Sequence, residues 1–147
     1  MDLDVYSDAS WGGEFSRPTH GYLTRLSGFS KRLVTVASSS CHAEFMALGI
    51  SARHSQWVQN LIGEILGRRL TIDMKCDNAS CMKITMDCSS NKRTRHSDRE
   101  FFISNQLLHK GLATLSWVCS AEMLADVFTK PLGPQLHACF ADKLLAA

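Results

Sequence analysis

The chain of 147 residues contains no apolar run approaching the length that spans a bilayer, which argues against a transmembrane helix. Its opening, MDLDVYSD, lacks the basic start and apolar stretch of a secretory leader. Linkers rich in Pro, Gly or Ser, low-complexity tracts and internal repeats are all missing, so residues 1–147 read as a single domain. Neither sign of charge dominates. The formal net charge of +2 is too small to argue for a nucleic-acid partner by itself. None of the six cysteines (Cys41, Cys76, Cys81, Cys88, Cys119 and Cys139) stands in a C-x-x-C pair. Zinc-type ligand spacing is therefore absent, and reduced, mostly buried thiols are expected. What remains is an ordinary soluble composition, 45% hydrophobic and 20% charged, in a chain long enough for one core. The expected setting is the cytoplasm or nucleus.

Charge distribution says more than the total. Lys92, Arg93, Arg95, His96 and Arg99 lie close together, with smaller pairs at Lys31-Arg32 and Arg68-Arg69. Such a segment is either a solvated surface or a phosphate contact.

Residues 3–8 alternate apolar and polar as a strand does, and DASWGG then supplies turn chemistry. Segments 21–28 and 29–37 read as two further strands, giving an antiparallel meander. From Cys41 to Leu66 the period becomes helical, with a stripe at 43, 47, 50, 54, 57, 61 and 65. Ser38-Ser39-Ser40 would start this helix and Gly67 would stop it. A strand over 70–76, helices over 78–86 and 96–110, and a strand over 112–119 follow. A short helix ended by Pro131 and a last helix over 134–146 complete the order. A meander followed by alternating strands and helices calls for an α/β fold, a mixed sheet flanked by helices. Trp57 and Trp117 fall on core stripes, and Trp11 is expected to pack beside its glycine turn.

Four acidic residues sit where burial is expected. Asp8 and Asp77 each end a strand, and the carboxyl ends of central strands are where ligand sites gather. If the strands are neighbours, the two carboxylates repel unless one is protonated or a cation lies between them. That closeness predicts a more stable Asp8→Asn variant in chelator. Glu44 lies in the first turns of the long helix, but the residue three positions earlier is Cys41, so a capping box fails; it is either a dipole-stabilised surface charge or points towards Asp8. Asp126 stands among Leu124, Val127 and Phe128, which should bury. It is either an exposed helix-start charge or the fourth wall of an acidic pocket. Oxygen ligands without nitrogen or sulfur suit hard cations such as Mg²⁺ or Mn²⁺.

The segments YSDASWGG, GYLTRLSG, SKRLVTVASSSCHAEFMAL, CDNAS, RTRHSD and LADVFTKPL resemble, in that order, the blocks of the ribonuclease H domain of copia-type LTR retrotransposon polyproteins. The resemblance runs from about residue 4 to residue 140. It implies a ribonuclease H-like fold with a five-stranded mixed sheet, and cutting of the RNA strand of RNA–DNA hybrids during reverse transcription. Two Mg²⁺ ions, replaceable by Mn²⁺, would be held by Asp8, Glu44, Asp77 and Asp126, with Asp8 bridging both. It also implies a reverse transcriptase domain upstream in a parent polyprotein; the isolated domain is expected to be a monomer, in the cell part of a retroelement particle. The first block departs from the usual Asp-Ala-Asp-Trp by carrying Ser10, and no histidine stands between His109 and Asp126.

A hybrid is recognised through phosphates and 2′-hydroxyls of its minor groove. Ser39, Asn78, Ser80, Arg95 and His96 are the candidate substrate contacts, each with a cap, turn or structural role as its ordinary alternative. Two functions stand side by side. One is an active hybrid-specific endoribonuclease. The other is a domesticated retroelement domain, weak or inactive in catalysis, that binds nucleic acid or protein.

Overall fold

The computed structural model describes residues 2–12, 16–24, 27–33, 36–87 and 102–145. Strands β1 (Asp2–Ser10), β2 (Thr19–Thr24) and β3 (Ser27–Arg32) form the expected meander. The long helix α1 (Ser40–Leu66) follows, then β4 (Thr71–Cys76), α2 (Ala79–Met86), α3 (Ile103–His109) and β5 (Ala113–Trp117). Two 3-10 turns, Ser120–Glu122 and Leu124–Phe128, stand where one short helix was expected, and α4 (Pro134–Leu145) closes the order. The five strands run β3-β2-β1-β4-β5, with β1 parallel to β4 and β4 parallel to β5. This is the mixed α/β architecture expected from the period changes along the sequence.

β1 is the central strand, and this explains its composition. Leu3, Val5 and Ala9 are buried against α1, whose Ala43, Ala47 and Ala52 bury with them. Small side chains at these positions let the helix approach the sheet closely. Ser39 caps α1 by accepting the His42 N–H, and Gly67 ends it in the left-handed conformation at φ 64°. Gly111 closes α3 with the same φ. Gln59, buried on α1, donates to the Leu70 and Leu112 carbonyls and ties the helix to the starts of β4 and β5.

Several expectations are corrected. The stripe on α1 holds at 43 and 47, but Trp57 is 61% exposed and Ile65 73% exposed. Buried positions run instead through Glu44, Leu48, Ser51, Ser55 and Val58, one residue out of step, and no residue from 60 to 66 is buried. Apolar periodicity marks a face without showing where the sheet beneath it ends. Trp117, at the end of edge strand β5, is likewise 60% exposed rather than core. Gly28 does not end a strand: it lies inside β3, where a Cβ would meet the Phe128 ring at 2.5 Å. Trp11 donates its indole N–H to the Ala37 carbonyl at 3.1 Å. Among the described residues five cysteines are free, and of these only Cys76 and Cys81 are buried; Cys41 and Cys119 are half-buried and Cys139 is exposed. Among the described residues no helix is long and apolar enough to cross a membrane. Cys88, the first half of the expected helix over 96–110 and the basic segment from Lys92 to Arg99 lie outside the described residues.

Candidate metal centre

Sheet register brings the first two carboxylates together. Val5 pairs with Met74 and Tyr6 with Lys75, an offset that sets Asp8 beside Asp77 two steps further along the parallel pair. Asp77 immediately follows the last residue of β4. On the other side of β1, Asp8 stands opposite Gly21 of β2. The missing side chain there matters, because a Cβ on Gly21 would lie 2.6 Å from Phe128 Cβ and 2.9 Å from Thr129 Cγ2. The segment 124–130 therefore seats directly on β2, and Ser30 pins it by donating to the Phe128 carbonyl at 2.6 Å. Glycine at 21 thus lets the segment carrying Asp126 lie against β2.

Asp8 is fully buried. Its Oδ2 accepts from the Thr129 hydroxyl, and its Oδ1 accepts from Lys130 Nζ at 3.1 Å. The same ammonium donates to Asp126 Oδ1 at 2.8 Å, so Lys130 bridges two of the four acids. Burial pushes the Asp126 carboxyl up, and Asp8 and Asp77 add to the rise, while Lys130 opposes it. For Lys130 burial works downwards, yet hydrogen bonds and charge from Asp126 and Asp8 hold the ammonium above its ordinary range.

Glu44 is the acid without such a partner. It is 7% exposed, and its Oε2 finds no hydrogen bond among the described residues. The Ala9 N–H is directed at this carboxyl. Burial, reinforced by the charges of Asp8, Cys76 and Asp77, pushes its pKa up to about 10. Ligand atoms of Glu44, Cys76 and Asp77 all lie within 4.8 Å of one another. Ser120 donates to Asp77 Oδ2 at 2.9 Å and orients that carboxylate. The charges of Asp8 and Asp77 push both Glu44 and Asp126 up, while Lys130 joins Asp8 to Asp126 beside the Glu44, Cys76 and Asp77 group.

This donor set fits a hard divalent cation. Most of its atoms are carboxylate oxygens, and an orphaned buried oxygen on Glu44 gains a partner only when a cation or proton reaches it. Cys76 is the soft atom of the group; it is buried, and a hydrogen bond from Cys81 holds its thiol below the ordinary range.

The candidate substrate contacts are placed more locally. Ser39 caps α1, and Asn78 caps α2 by accepting from the Ser80 and Cys81 N–H groups at 3.0 Å each. Ser80 is exposed beside it. Arg95 and His96 lie outside the described residues. Sequence reasoning missed Lys130 and Thr129. The available signal was the Thr-Lys of LADVFTKPL, where Lys130 is four residues past Asp126 and so shares its side of a helical turn.

The expected stabilisation by Asp8→Asn, which relieves the repulsion that Asp8 exerts on Glu44 and Asp126, is opposed by a pair that Asp8 makes. Lys130 pairs Asp8 with Asp126 rather than with Asp77, and removing the Asp8 charge would break that pair. The uncompensated repulsion sits on Glu44.

No family model matches the chain. It is 32% identical, across 98% of its length, to a retrovirus-related Pol polyprotein from transposon RE1 of Arabidopsis thaliana. A second such polyprotein, from transposon RE2 of the same plant, is 30% identical across 98% of the chain. The chain spans 10% of the length of each. Among solved structures, ribonuclease H1 from the halophilic archaeon Halobacterium salinarum superposes with a TM-score of 0.63 at 15% identity. That match covers 88% of this chain and 95% of the archaeal one. At that identity the likeness concerns the fold.

Proposed function

Since the chain is homologous to a segment of transposon Pol polyproteins and has a ribonuclease H-like fold, we propose that it cleaves the RNA strand of RNA–DNA hybrids in retroelement reverse transcription. The observation that carries this reading is the grouping of Glu44 and Asp77 atoms within 4.8 Å, with Asp8 in register beside Asp77 and joined to Asp126 through Lys130. Asp8 and Asp126 would hold one Mg²⁺ or Mn²⁺ ion, and Glu44 and Asp77 with Asp8 the other. Ions so held would supply activation of a water and charge stabilisation for the leaving oxygen of a phosphodiester.

The protein's own part is positioning. Thr129 fixes the rotamer of Asp8, and Ser120 fixes that of Asp77. Ala9 N–H and the walls of α1 hold Glu44 against the sheet end. Asn78 uses its side-chain oxygen as a cap, which leaves its amide N–H groups as donors towards a backbone, next to exposed Ser80. Ser39, Arg95 and His96 are the further donors of the proposed groove. The upstream partner is a reverse transcriptase domain of the parent polyprotein, in keeping with a match to 10% of the relatives' length.

Cleavage of a labelled RNA–DNA hybrid in Mg²⁺ or Mn²⁺ tests this reading, with single-stranded RNA and duplex DNA as controls. The wild type should cut the RNA strand of the hybrid, and Asp8→Asn and Asp77→Asn should not. Hybrid binding without metal-dependent cutting would replace the enzyme with a nucleic-acid-binding module.

A further inference from the structure

Two of the acids share a corner with a sulfur. Ligand atoms of Glu44, Cys76 and Asp77 lie within 4.8 Å of one another, where α1 passes the end of β4. Among the described residues the hydrogen bonds of the Lys130 ammonium go to Asp8 and Asp126 rather than to this corner. Glu44 Oε2 is buried there without a hydrogen-bond partner among the described residues. The Cys76 thiol reaches the Asn78 carbonyl at 3.8 Å, a weak bond for a cation to replace. Asp77 is half-buried, so the corner opens towards solvent on its side.

Carboxylates alone favour hard cations, whereas a thiolate ligand selects softer ones. At about 2.3 Å to sulfur and about 2.1 Å to oxygen, a tetrahedral Zn²⁺ sets its ligand atoms roughly 3.5 Å apart. A carboxyl group turning about its last bond moves its oxygens far enough to close the remaining gap, with helix and strand in place. We propose that Glu44, Cys76 and Asp77 form a site for a thiophilic divalent cation of the Zn²⁺ class, which excludes the hard ion from that end of the acidic centre. Three protein ligands leave the fourth tetrahedral position to water. On binding, the thiol proton leaves to solvent as the sulfur lone pair turns to the ion, and a proton on Glu44 leaves likewise. One thiolate and two carboxylates then offset the charge of the ion. The site stands on these three side chains, and its effect on hybrid cleavage rests on the proposed function.

The test is a titration of the whole reduced chain with Cd²⁺, followed by the ultraviolet thiolate-to-metal charge-transfer band, with Zn²⁺ then added as competitor. Wild type should develop the band with the first equivalent, and Zn²⁺ should remove it. Cys76→Ser should lose that band, while Cys139→Ser, at an exposed thiol, should keep it. No band in wild type, or the same band in Cys76→Ser, overturns the proposal. Should Cys76→Ser fail to fold, Glu44→Gln decides instead. Its Cd²⁺ affinity should fall at least about tenfold, since losing even a partner that merely orients a ligand costs that much. An unchanged affinity overturns the site. In the cleavage assay, low Zn²⁺ added to saturating Mg²⁺ should suppress wild-type cutting of the hybrid, and Cys76→Ser should need at least about tenfold more. Equal sensitivity overturns the exclusion of the hard ion. A wild type that forms the band but cuts no hybrid removes the proposed function and leaves the soft-metal site standing.

Discussion

Replacing Glu44 by Gln should stabilise the protein in chelator and weaken its response to metal. The ordinary carboxyl value for this residue is 4.5, and the fold pushes it up to about 10. A folded value above the unfolded one gives stability that is complete below pH 4.5 and is lost as pH rises towards 10. At pH 7 the unfolded chain releases a proton that the folded chain retains. The cost spans about 2.5 pH units at about 1.36 kcal/mol each, or roughly 3 kcal/mol. Local relaxation around a residue 7% exposed reduces that figure, so it marks the upper end. The amide of Glu44→Gln keeps the shape of the carboxyl and cannot ionise. At this chain length about 1 kcal/mol moves the melting temperature by about 2–4 °C, so the variant should melt roughly 3–10 °C higher at pH 7 in chelator. Thermal melts read by circular dichroism from pH 5 to 9 would show wild-type stability falling with pH and a flatter profile for the variant. Saturating Mn²⁺ should reverse the ranking, since only the carboxylate of Glu44 can pair with the ion. A variant that melts no higher than wild type at pH 8 in chelator, with the same pH slope, would refute the reasoning.

Other predictions concern what positions the site. Gly21→Ala forces a Cβ against Phe128 Cβ and Thr129 Cγ2, so the backbone carrying Asp126 and Lys130 must shift. A cost of about 1–3 kcal/mol is expected, with weaker Mn²⁺ binding by calorimetry. Gly28→Ala meets only the far end of the Phe128 ring and should cost less and leave Mn²⁺ affinity nearly unchanged. Trp57→Gln should change stability by no more than about 0.5 kcal/mol in urea unfolding, because the side chain is 61% exposed. A loss of several kcal/mol would restore Trp57 to the core.

Element order was legible from the residues alone, because the change from a period of two to a helical period is local and is written in consecutive positions. Ser39 and Gly67 mark the ends of α1 for the same reason: caps act on the nearest backbone groups. The ordered blocks also singled out the four acids. Side-chain periodicity does not say which stripe of α1 meets the sheet or that β5 lies at its edge, and so Trp57 and Trp117 are exposed rather than core. How the acids are balanced is a property of the folded chain. The contact between Lys130 and Asp8 joins residues 122 positions apart, and it depends on a glycine of β2 that lets segment 124–130 lie flat on the sheet. No local pattern encodes that approach. The acid left without a cationic partner, Glu44, is likewise defined by what surrounds it in space, and the charge it retains or gives up follows from burial rather than from its neighbours in the chain.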